Sequence, residues 1–195
     1  MSERITGWNA ETLKNLTTGA GVCFENFKLD TDTFETGKKM GATTGGVKIA
    51  VEYPDTWVRE IDGLPENTKG LHELEFVKPT VEVSFVEVAS ASLLKQGLGT
   101  GEAAAVETPA GYTKVTPRGD IAPEDYLENI TIFTQTKGTQ KPLIIVIKNP
   151  LNAEGFEFET KSKEGGAIKM TYVGCFDPMN LKDMPVEVYT PNAGE

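Results

Sequence analysis

The pattern that most constrains this chain is the recurrence of short apolar–polar alternations cut apart by Gly, Pro, Asn and Asp. Side chains two residues apart share one face of an extended strand, so each alternating stretch is a strand with one dry face and one wet face. Val81, Val83 and Phe85 fall on one side while Glu82 and Ser84 fall on the other. The alternation fails at Val86 and Glu87, where the strand is expected to end or bulge. Residues 47–52 alternate after Gly45 and Gly46, and residues 57–61 follow before the Asp62-Gly63 turn. That spacing predicts a hairpin or a long two-stranded loop.

The second half continues in the same way. Phe156 and Phe158 alternate with Glu157 and Glu159, Ile168, Met170 and Tyr172 with Lys169 and Thr171, and Val186 and Val188 bracket Glu187. Residues 126–134 read as strand, and Pro123 opens a single helical turn before them. Residues 143–147, Leu-Ile-Ile-Val-Ile, form a continuous apolar run between Pro142 and Asn149-Pro150, as expected of a strand buried on both faces at the centre of the core. Ser90 as a cap, Leu93 and Leu94 as an apolar face and Gly97 as a stop predict a helix of about two turns, too short to stand without a sheet to pack on. Residues 98–111 are rich in Gly, Ala, Thr and Glu, and are expected to be an exposed loop or a mobile insertion. Residues 1–40 hold Trp8, Leu13, Leu16, Val22, Phe24 and Phe27 without clean periodicity, as an ordered arm docking elsewhere would.

With 195 residues the chain is long enough for one core, and the expected organisation is a single structural domain with an N-terminal arm and first strand region over 1–40, a β-sandwich body with long loops over 41–190 and a short tail over 191–195. Nineteen basic residues against 29 acidic ones leave a formal charge of -10. The acidity is spread evenly and no Lys/Arg stripe occurs, which argues against tight nucleic-acid binding. No apolar run is long enough to span a bilayer as a helix, and no secretory pattern opens the sequence, so a cytoplasmic site of synthesis and assembly is expected. Cys23 and Cys175 lie far apart among apolar and aromatic neighbours and read as buried reduced thiols.

Catalytic constellations are hard to assemble from these residues. His72 is the single histidine and has no ligand-spaced Cys or second His, so it reads as a structural or surface residue. Asp30 and Asp32 begin like a calcium loop but lack its turning Gly and closing Glu. Gly37-Lys38, residues 41–46 and residues 97–101 each miss the spacing of a phosphate-binding turn. Glu157 and Glu159 share a strand face, which a carboxylate pair acting on a sugar would need, but a wet strand face is the favoured account of them. No cofactor or metal is expected.

Several segments, in order, carry a family likeness. Thr18-Gly19-Ala20-Gly21-Val22-Cys23-Phe24-Glu25-Asn26-Phe27 and then Gly41-Ala42-Thr43-Thr44-Gly45-Gly46 resemble the opening of tail tube subunits from long-tailed (siphovirus-type) phages of Gram-positive hosts. So do residues 113–118, 125–131 and 141–151, and the closing residues 173–178 and 185–189, so that the likeness covers roughly residues 17–190. The resemblance implies a mainly β fold, a sandwich or barrel with a short packed α-helix and extended arms or loops. It implies a non-enzymatic virion protein whose rings, hexameric in that family, stack into a tail tube. Its partners would be further copies of itself, a tape measure protein, and tail terminator and distal tail proteins, with DNA passing through unbound and no membrane involved. No catalytic residue carries over. On this reading some of Glu82, Ser84, Glu157, Glu159 and Thr171 are expected to line the lumen, where negative charge would repel passing phosphates. The arm and the region 41–63 are expected to make contacts between subunits. Two other readings stand beside it: a tube subunit of a phage-derived contractile secretion or bacteriocin system, and a monomeric β-sandwich binding module.

Overall fold

A computed structural model describes residues 12, 16–54, 56–65, 67–137, 141–152, 154–161 and 164–191. The chain is mainly β, and its strand pairings are antiparallel. One sheet contains β1 (Val22–Glu25), β2 (Lys38–Lys39), β9 (Asn129–Thr134), β10 (Leu143–Lys148) and β13 (Val186–Tyr189), in the order β13-β10-β9-β1-β2. A second contains β3 (Thr43–Glu52), β6 (Lys78–Phe85), β11 (Phe156–Lys161) and β12 (Glu164–Val173), in the order β11-β12-β6-β3. Two ribbons complete the strands: β4 (Thr56–Val58) with β5 (His72–Leu74), and β7 (Gly101–Val106) with β8 (Tyr112–Pro117).

The two larger sheets pack face to face because each presents an apolar alternate set. Cys23, Ile130, Ile132 and Ile147 from the first meet Val81, Val83, Phe85, Ile168, Met170 and Tyr172 from the second. Helix α1 (Ala91–Gly97) closes one side by inserting Leu93. The Ser90 hydroxyl accepts from the Leu93 amide at 3.3 Å, and this satisfies one of the free donors of the first turn. Gly97 ends the helix where space is smallest: a Cβ there would sit 2.8 Å from the Met170 methyl. A buried polar link crosses the layers. Glu25 accepts from the Gln96 side-chain amide and pairs with Lys38, while the Tyr172 hydroxyl reaches Gln96 Oε1 at 3.3 Å. Burying a carboxylate is costly unless it is partnered, and these contacts meet that requirement.

The first sheet is also covered on its outer face. Phe24, Phe27 and Phe133 are buried there beside Ile144, and Phe34 stacks onto them. Ring centroids lie 5.0 Å apart for Phe24–Phe27, 5.4 Å for Phe24–Phe133 and 5.1 Å for Phe27–Phe133, all edge to face. This explains the run 143–147, which lies between two apolar clusters: Ile145 and Ile147 point to the main core and Ile144 to the aromatic one. The middle strand of that sheet is nevertheless β9, with β10 one place out.

Several other expectations meet the structure differently. Residues 47–52 and 57–61 do not pair with each other: β3 joins β6, and β4 joins β5 across a connection that springs from the β3–β6 hairpin. Local alternation marks a strand but not its partner. Residues 98–111 are exposed as expected, but 101–106 are not loop, since six residue pairs join β7 to β8; the Ala and Glu side chains stay exposed, which is why composition hid the ladder. The strand region expected within 1–40 is Val22–Glu25, which lies inside the first sheet rather than docking elsewhere, with Cys23 and Phe24 fully buried. Residues 1–11 and 13–15 of that arm and residues 192–195 of the expected tail lie outside the described residues. Cys23 is buried as expected, whereas Cys175 is only partly buried; both are free thiols. The strand at 81–85, the helix with its Ser90 cap and the single turn at Pro123 match the sequence reading.

Candidate assembly surface

The register of the second sheet decides where the five singled-out residues go. Thr171 lies opposite Glu82, Lys169 opposite Ser84, Glu157 opposite Lys169 and Glu159 opposite Ala167. Directly opposed residues in an antiparallel pair share a face. Glu82, Ser84, Glu157, Glu159 and Thr171 therefore all lie on the outer face of this one sheet, turned away from the core.

That face is mixed in charge rather than acidic. Lys48, opposite Glu82 on β3, hydrogen-bonds its carboxylate, and Lys169 stands 3.5 Å from its other oxygen. The hydrogen bond from Lys48 pulls the Glu82 carboxyl below its ordinary titration range, and the same bond raises the Lys48 ammonium. Glu52 and Lys78 extend the face as another opposed pair. The expected field of uncompensated negative charge is thus broken by three lysines. The signal for them was present in the sequence, because Lys48 and Lys169 occupy the polar phase of strands already recognised; the missing knowledge was which strands adjoin.

Both edges of the sheet end without a neighbouring strand among the described residues, since β3 and β11 occupy the two outermost places. β3 carries a register shift between Thr44 and Val47, where Gly45 and Gly46 take positive φ values of 74° and 81°. Glycine adopts that backbone without a Cβ penalty, and the irregularity twists the strand's beginning. Apolar residues of the inner face reach the open edges: Val51 of β3 is 38% exposed, and Phe156 and Phe158 of β11 are 36% and 51% exposed.

Two further surfaces are apolar. The β4–β5 ribbon and its connection expose Trp57, Ile61, Leu64 and Leu74, with Arg59 over the Trp57 ring at 5.8 Å and ion-paired to Glu73. A recess of about 640 Å³ lies among Ile121, Pro123, Tyr126, Cys175 and Phe176. Burial raises the Cys175 thiol's pKa and pushes that of Cys23 up to about 12, so both sulfurs are held in their unreactive protonated form. His72 sits on the exposed ribbon opposite Val58, and no group of three or more His, Cys, Asp or Glu is placed to hold a metal among the described residues. Asp32 accepts from the Lys28 amide at 2.7 Å, which makes residues 28–32 a closed turn.

No family model and no curated protein matches this chain.

Proposed function

We propose that this protein is a structural subunit that assembles with copies of itself into a tube of the phage-tail type, serving as a conduit and carrying out no catalysis. The observation that carries the reading is the four-stranded sheet, which combines a largely polar outer face with two edges that have no neighbouring strand among the described residues and bear exposed apolar side chains. An isolated sheet with such edges invites association, and closure into a ring satisfies both edges at once. The polar face then has a place, the wall of the channel. Its alternating carboxylates and ammonium groups offer a phosphate backbone no cluster of cations to displace counterions, so DNA slides past without stable binding. The exposed apolar ribbon β4–β5 supplies a further contact between copies. The ordered likeness to tail tube subunits points the same way, and under it the tape measure, terminator and distal tail proteins are the partners.

Negative-stain microscopy of the concentrated purified chain tests this directly. Rings or hollow filaments are expected. A species that remains monomeric at every concentration and salt condition would refute the proposal.

A further inference from the structure

The β7–β8 ribbon is fastened to the body at its root rather than along its length. We propose that Arg118 is a salt-sensitive latch at that root, whose release lets the ribbon open as a unit while the two-sheet body stays folded. This is a property of the single chain and does not depend on the tube reading.

Neither strand of the ribbon pairs with a third strand among the described residues, and residues 102–105, 107–114, 116 and 117 are exposed. A two-stranded ladder of this kind is marginal in water by itself, so its placement depends on what holds its ends.

Three fastenings meet at the root. The Arg118 amide donates to the Thr100 carbonyl at 2.9 Å, and the Thr100 hydroxyl donates to the Arg118 carbonyl at 3.0 Å. Gly101 is buried against the last turn of α1, where a Cβ would lie 2.5 Å from the Lys95 carbonyl oxygen. The Arg118 guanidinium pairs with Asp125, whose side chain is buried and also accepts from the Ala122 amide at 2.8 Å. The same guanidinium stands 3.6 Å from Glu102, on β7, and 3.6 Å from Glu124. One cation thus ties both strands of the ribbon to the turn Pro123–Asp125.

The latch is weaker than the core it hangs from. Glu102 and Glu124 are 61% and 68% exposed, so dissolved ions screen their attraction to Arg118. Arg118 Nε is buried without a partner among the described residues, a cost of aiming the guanidinium at the carboxylates. The body is held by apolar packing between its two sheets, which added salt does not screen. Raising the salt therefore loosens the ribbon selectively.

Hydrogen exchange read by mass spectrometry on the dilute full chain tests this, comparing peptides from residues 101–117 with peptides from β6 and β9. Arg118→Gln should speed exchange in the ribbon by about ten- to a hundredfold, the worth of a charge-assisted hydrogen bond, and leave β6 and β9 unchanged. Glu102→Gln, on the exposed side of the latch and away from the buried Asp125, should speed the ribbon by a smaller factor. In the wild type, sodium chloride should speed the ribbon but not the body. Ribbon amides that exchange only together with β6 and β9 would overturn the proposal, as would ribbon exchange that either Arg118→Gln or salt leaves unmoved. An Arg118→Gln variant that speeds ribbon and body alike would show that Arg118 supports the whole fold, and would overturn it too.

Discussion

Replacing Phe24 by Ala tests whether residues 22–40 belong to the fold or merely dock on a neighbour. Phe24 is fully buried and meets Phe27, Phe34 and Phe133 edge to face at 5.0, 5.5 and 5.4 Å. Truncating a buried Phe to Ala costs about 3–5 kcal/mol through lost transfer energy and the cavity left behind. Phe24→Leu keeps most of the apolar volume and loses chiefly the ring–ring terms, so it should cost about 1–2 kcal/mol. At roughly 2–4 °C per kcal/mol for a domain of this length, the Ala variant should melt about 6–20 °C lower. Urea unfolding of dilute, unassembled protein, followed by far-UV circular dichroism, reads the difference without contribution from neighbours. A change below about 0.5 kcal/mol, typical of surface positions, would mean that the aromatic cluster is not part of the monomer's core and that β1 is an arm after all.

Two other perturbations probe the backbone and the electrostatics. Gly99 has φ +72°, and a Cβ there would lie 2.3 Å from the Asn152 carbonyl oxygen, whereas Gly63, at φ +84°, has nothing within 4 Å. Gly63→Ala should cost about 1–2 kcal/mol from the left-handed backbone alone, and Gly99→Ala distinctly more, because the main chain of 152 must move; equal melting temperatures would contradict the packing around Gly99. Lys148 bridges Asp183 at 2.6 Å and Glu187 at 2.5 Å. The hydrogen bond from Lys148, joined by one from the Tyr189 hydroxyl, depresses the Glu187 carboxyl. A depressed carboxyl contributes stability that is complete above its unfolded pKa and disappears as pH falls through the folded one. The urea midpoint of wild type should therefore exceed that of Glu187→Gln at pH 7, by a modest amount because the pair is partly solvated. The two should converge below the carboxylate range, and a gap of constant size at every pH would exclude the pair as its cause.

What could be read along the chain was whatever depends on neighbours in sequence. Val81, Val83 and Phe85 declare a half-buried strand, Ser90 and Gly97 bound a helix, and Pro123 opens a turn, because each signal is spent within a few residues. A strand is expected somewhere in residues 1–40, but the bounds and place of β1 were hidden because it is four residues long and buried on both faces, Cys23 toward one cluster and Phe24 toward the other, which erases alternation. The β7–β8 ribbon escaped for the opposite reason: with Ala103, Ala104 and Ala105 exposed it buries almost nothing, so only its backbone ladder defines it. The same division runs through the candidate surface. Parity along each strand was enough to collect Glu82, Ser84, Glu157, Glu159 and Thr171 onto a wet face, yet the net charge of that face depends on β3 and β12 flanking β6, a contact between residues more than thirty positions apart. Once Lys48 and Lys169 are placed beside Glu82, repulsion of phosphate by an acidic face loses its basis, and under the proposed tube reading the lack of a cation cluster on this face among the described residues becomes the property that would let a polyanion pass. If the proposed tube reading holds, reversing Lys78 and Lys169 together should leave DNA passage little changed, whereas turning Glu82, Ser84 and Thr171, all on the two inner strands, into lysines should create the missing cluster and retain DNA, with a strong salt dependence that a merely misfolded wall would not show.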